Sequence, residues 1–353
     1  NWSTAASPAS TDVLFGDSGA IGTAGVINSV VDTSPLGLAS LTFTNMSQAP
    51  SLLFHTVLIP TGNELDNAGA LTVGGISAPT VTTTVNFAGG GTLVQSGAMN
   101  VKWINGTAGG SIATLDLSGL SNFVFNSSID AITIASAASG SEARGGGVLN
   151  LAGVSNNITA GSIAMALGTG NGGVTGNFLN LGAGTNIINA TTINIAAGKI
   201  NTATMKFLGA TGGLRLRGTG GTDADRATIV LGRRGNTGTG TILGSILLGG
   251  HPVDVLAGTI TLGQYTANQA GPQATGGVLQ FDTGIVDATT INMAVCSGNA
   301  TATANGTLIV GGVGLLGLAA ILVMFALKDS ITYFHTPSDV IERKVAASGG
   351  VFR

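Results

Sequence analysis

Asp223 and Asp225 stand one residue apart in Gly221-Thr222-Asp223-Ala224-Asp225-Arg226, and in an extended segment that spacing sends both carboxylates to the same side. Paired carboxylates on one outer face are the equipment of glycan lyases and hydrolases, sometimes helped by Lys, Arg or calcium. Arg215, Arg217, Arg226, Arg233 and Arg234 crowd this pair in sequence. A surface salt-bridge cluster is therefore the simpler account. The same five arginines form a candidate patch for an anionic ligand such as an acidic glycan.

Other chemistry finds less support. His55 and His251 lie in no recognisable Ser or Cys nucleophile motif. Cys296 has no second cysteine and no neighbouring base, so an inert thiol is expected. Thr211-Gly212-Gly213 lacks the Lys-Ser/Thr ending of a phosphate loop, and the calcium-binding Gly-Gly-x-Gly-x-Asp pattern does not recur. The expectation is no catalytic residue, no metal ligand and no cofactor.

The elements that must carry these residues repeat. An aliphatic-x-aliphatic doublet recurs at Leu115/Leu117, Leu149/Leu151, Leu179/Leu181, Leu214/Leu216, Ile246/Leu248 and Leu279/Phe281. A second series falls between them, at Ile132/Ile134, Ile163/Met165, Ile193/Ile195, Ile229/Leu231, Ile260/Leu262 and Ile291/Met293. Within a strand the two outer members of a doublet point one way and the middle residue the other. Middle residues such as Asp116, Asn150, Thr133 and Asn194 are mostly polar, although Leu247, Val230 and Ala164 are not. One repeat cannot bury its own doublet. Stacked repeats can, so a period of about 32 residues predicts an all-β parallel β-helix, or β-solenoid. Regular rungs are expected over 111–300 and irregular rungs or a cap over 1–110, with Trp103 as a packing residue.

Composition agrees. The chain has 353 residues with 58 Gly, 8% charged and 5% aromatic residues and a net charge of −3. So little charge argues against solvating disorder and gives no case for nucleic acid. Glycine without a triplet period excludes collagen and fits many tight turns. A single cysteine rules out an internal disulfide framework. The first residue is Asn1, and no basic run followed by an apolar one opens the chain, so it reads as a mature form or a fragment.

The strands ending Thr-Ile-Asn-Ile at Ile195 and Thr-Ile-Thr-Leu at Leu262, with Leu-Thr-Val-Gly-Gly at 71–75, give residues 1 to about 300 a resemblance. The stretch resembles the passenger-type β-helix of bacterial autotransporter-associated repeat proteins. That resemblance implies a secreted or surface-exposed, non-catalytic scaffold or adhesin on a bacterial cell.

From Leu308 to Leu327 the chain has 20 residues without a charge, which predicts a membrane-spanning helix and makes the membrane a partner. A competing reading makes Leu308 one more rung, 29 residues after Leu279. The run that follows, Lys328-Asp329-Ser330-Ile331-Thr332-Tyr333-Phe334-His335-Thr336-Pro337, completes a second resemblance over roughly 308–353. That stretch looks like the amino-terminal anchor of the cytochrome c maturation haem chaperone, the E protein of that pathway. The resemblance implies that 328–353 is the truncated start of a chaperone domain, with haem as cofactor only if the missing part were present. His335 does not inherit the haem role. Basic residues follow the apolar run and none lies between Arg234 and Lys328, so the positive-inside rule puts the tail in the cytoplasm and the solenoid outside, whereas the haem-chaperone resemblance implies a tail on the outer side. The two resemblances point to a composite chain joined near 300–308.

Overall fold

The computed structural model describes residues 8–16, 23, 25–44, 52–76, 82–104, 111–136, 146–168, 176–198, 201–235, 240–267, 274–297 and 303–318. These residues form a parallel β-solenoid: all the strands belong to one 23-stranded parallel system, with no helix among them. The pairings resolve into three ladders, so each rung has three sides.

One inward column of the first ladder runs Val13, Leu41, Leu71, Met99, Ile132, Ile163, Ile193, Ile229, Ile260 and Ile291. Every member is at most 6% exposed. The second ladder stacks His55, Val85, Leu115, Leu149, Leu179, Met205, Ile246, Leu279 and Leu308. The third stacks Leu38, Asn67, Gln95, Phe125, Ile158, Ile188, Leu216, Val255 and Val286. Full burial of each aliphatic is worth roughly 1.5–3 kcal/mol, and repetition makes the column continuous. Trp103 closes part of it at 1% exposure, donating from Nε1 to Thr83 Oγ1 at 3.1 Å.

Two corners separate the ladders differently. Long strands such as Ser155–Gly168 and Thr185–Gly198 pass from the third ladder into the first with a single residue, Gly161 or Thr191, at the bend. At the far end of the first ladder the chain turns through a left-handed residue in rung after rung: Ala135, Ala166, Ala196, Gly232, Gly263 and Ala294, with φ from 50° to 71°. A left-handed residue redirects the backbone without a longer loop. Alanine serves where the methyl group itself is buried, as at Ala166 (1%) and Ala196 (0%).

Two expectations need correction. Leu214 and Leu216 do not continue the Leu115–Leu179 column; they stack on Asn186 and Ile188 in the third ladder, and Met205 and Phe207 take the vacated places. The doublet spacing stayed near the repeat length only because a shortened connection before Leu214 and a lengthened one after it offset each other. The strands from Asp12 to Ile104 pair in the same three ladders as the later ones. The second correction is that the expected helix from Leu308 is not what its first eleven residues form. Thr303–Leu318 is a strand paired with Ala274–Cys296, and Leu308 sits on Leu279, the extra-rung reading. Among the described residues no helix is long and apolar enough to cross a membrane. The remainder of that run, 319–327, and the tail 328–353 lie outside the described residues.

Candidate functional site

Most rungs pass from the third ladder to the first with one residue at the corner; one rung inserts a loop. Between the strands Gly213–Arg217 and Ala227–Arg234, residues 218–226 leave the wall, and this insertion carries Asp223, Asp225 and Arg226. The loop is tied to itself. Gly218 N donates to Asp225 O at 3.0 Å, Gly221 N to Gly218 O at 2.9 Å, and Arg215 Nη2 to Gly221 O at 3.0 Å.

The two aspartates take separate partners. Asp223 accepts from Arg217 Nε at 3.0 Å and Arg215 Nη2 at 3.2 Å, and Arg217 holds its carboxyl below the usual carboxylate range. Asp225 Oδ2 accepts from Thr222 Oγ1 at 2.6 Å and Thr222 N at 3.2 Å, which lowers its pKa as well. A general acid needs the opposite shift.

The arginines reach across rungs. Arg217, its side chain 4% exposed, bonds Asp254 Oδ2 at 2.6 Å and the carbonyls of Leu216 and Asp254 at 2.9 Å each. Burial alone would lower its pKa, but Asp254 and Asp223 outweigh that and hold the guanidinium charged. Arg226 grips Asp287 with both terminal nitrogens, at 3.1 and 2.9 Å, and the ion pair raises its pKa. Arg234 is fully buried, bonding Gly240 O and, at 3.3 Å, Ala274 O, with desolvation lowering its pKa. Arg233 is exposed. The structure therefore joins Arg215, Arg217 and Asp223 in one network, sends Arg226 to another aspartate, and buries Arg234 away from any surface patch.

Sequence reading missed the polar ladder inside the core. Asn156 and Asn186 are 0% exposed at inward positions, and Asn156 Nδ2 donates to Asn186 Oδ1 at 2.9 Å. Asn186 Oδ1 accepts from Gly182 N at 2.9 Å while its Nδ2 donates back to Gly182 O at 3.0 Å, bracketing the preceding turn. Asn67 and Gln95 form a similar pair at 2.7 Å. The available signal was an amide at a position where the pattern calls for an aliphatic. Of the remaining candidates, His251 stacks on Phe207 with centroids 3.7 Å apart, and Cys296 is half-buried. Among the described residues no three His, Cys, Asp or Glu side chains gather as a metal site would require.

The fold and this cluster define a parallel β-solenoid with an ion-paired corner loop. No protein family and no solved structure matches the chain. Over 39 residues, 11% of its length, it is 54% identical to the cytochrome c-type biogenesis protein CcmE of Parvibaculum lavamentivorans. That stretch is 24% of the curated relative, so the chain spans about a quarter of the protein it matches.

Proposed function

We propose that the chain is a non-catalytic scaffold, an adhesin-like passenger displayed at a bacterial cell surface or released from it. One observation carries this reading: the charged groups with the most chemical promise are taken up in structural ion pairs. Asp254 and Asp287 hold arginines from earlier rungs, and Asp223 pairs with Arg217 inside its own rung. Such a design stiffens a column whose outer faces are then free for contact. The test is labelling of intact source cells with an antibody to the exposed 218–226 loop; signal only after lysis would sink the surface assignment.

An anionic glycan is a second ligand reading, favoured by the partial exposure of Arg215 (side chain 35%). Because Arg215 and Arg217 already have carboxylate partners, Arg215→Gln with Arg217→Gln is expected to leave retention on an anionic polysaccharide column unchanged. Reduced retention would turn the corner into a binding site. The membrane stays a proposed partner of the apolar run ending at Leu327, tested by carbonate extraction of the full chain. For the haem-chaperone alternative, the short similarity to CcmE is the support. A covalent haem adduct on the purified full chain would favour it over the scaffold.

A further inference from the structure

The three outer faces differ in charge. The third ladder's face carries Glu64, Asp66, Arg215, Asp254 and Asp287, and the second ladder's carries Asp116 and Lys206. The first ladder carries Lys102 on an early rung and, past the left-handed corner, Arg233; from Ser162 to Asn292 its outward positions before that corner hold no charged and no aromatic side chain. Its regular end is a threonine file. Thr192, Thr228, Thr259 and Thr290 stack in register on successive rungs, with Asn194, Val230, the buried Thr261 and Asn292 two residues further along. None of these five threonines and two asparagines hydrogen-bonds through its side chain elsewhere in the described chain.

Parallel in-register pairing repeats a side chain about every 4.8 Å along the axis and about every 6.7 Å across it. Threonine keeps that array stiff, because branching at Cβ restricts χ1. A ligand for such a face must be uncharged, flat and periodic in two dimensions. The oxygen lattice of ice meets all three conditions, with repeats close to those two lengths. Threonine hydroxyls extend the lattice while their methyl groups order the water between them, and no charge imposes a competing hydration shell. A neutral glycan fits less well, since no aromatic ring stands ready to stack on a sugar. A second copy fits less well too, because the interface core of a stable dimer is more apolar.

We propose that the stretch of the first ladder's outer face built on Thr192, Thr228, Thr259 and Thr290 binds ice, an activity that goes beyond the scaffold reading and does not depend on where the protein is located. The test grows ice in a solution of the full chain and measures protein enriched in the solid, together with the rate of recrystallisation. Wild type is expected to be enriched and to slow recrystallisation. Thr228→Lys and Thr259→Lys, made singly, should lose both effects while keeping the wild-type circular dichroism. Thr204→Lys, on the second ladder's face, should keep both. If either variant on the binding face fails to fold, Thr290→Lys decides. Exclusion of wild type from ice, equal enrichment of wild type and the folded variants, or a wild-type dimer that Thr228→Lys dissociates would overturn the proposal.

Discussion

At the scale of single residues, His55 is the most informative side chain. It fills an inward position over Val85 and packs against Phe15, ring centroids 4.2 Å apart, while Ser29 Oγ lies 3.1 Å from Nε2. Burial lowers its pKa from 6.5 to about 4. A histidine depressed in the fold contributes stability that is complete above pH 6.5 and lost as pH falls through 4. The difference between the two values corresponds to roughly 3 kcal/mol. Urea melts between pH 7 and 4 should show that loss, and His55→Phe, which keeps the packing, should flatten it. Arg217 gives a second expectation. Arg217→Met leaves two carbonyls without their donor while Asp223 and Asp254 regain water, a cost of about 1–2 kcal/mol. Arg215→Met should cost under about 0.5 kcal/mol, as exposed pairs do. Chemical denaturation of both variants measures the contrast. The proximity of Arg215, Arg217 and Asp223 was legible from their closeness in sequence. That Arg217 continues to Asp254 and Arg226 to Asp287 was not, because both partners sit one or two rungs away.

At the scale of elements, the left-handed corners set what each rung tolerates. A methyl group on Gly263 would land on the carbonyl oxygen of Asn305 in the next rung, so Gly263→Ala must move backbone. That change should cost more than about 3 kcal/mol by thermal or urea unfolding. Ala196→Gly relieves a left-handed alanine worth about 1–2 kcal/mol but loses a buried methyl group and adds chain entropy. Its net effect should stay within about 1 kcal/mol. The doublets announced strands of the first and second ladders, yet the third ladder went unrecognised. Its early inward column mixes Leu38, Asn67, Gln95 and Phe125, and on later rungs Asn156, Asn186 and Gly284 stand where a doublet needs its second aliphatic, so few complete doublets mark it. The amides there bond turns and one another, a solution that only stacking makes available, and among the described residues Asn67 Oδ1 alone of them is left without a partner.

At the scale of the whole molecule, the first ladder's inward column has nine steps from Val13 to Ile291, roughly 43 Å at about 4.8 Å per step. Stability in such a stack is a sum of neighbour terms. Ile193→Ala in mid-column should cost about 2–5 kcal/mol and split the unfolding transition, whereas Val13→Ala at the first described rung should fray locally with little change in the midpoint. Equilibrium unfolding followed by circular dichroism distinguishes the two. The sequence alone determined that the chain is a repetitive all-β stack, because burying period-2 doublets from short repeats has few other solutions. Tertiary structure decided the rest: three sides per rung, the displacement of Leu214 into a different wall, the strand at Leu308, and a file of threonines stacked on one wall. Those features depend on which rung lies above which, and connections of unequal length erase that register from the linear spacing while the backbone hydrogen bonds between rungs restore it.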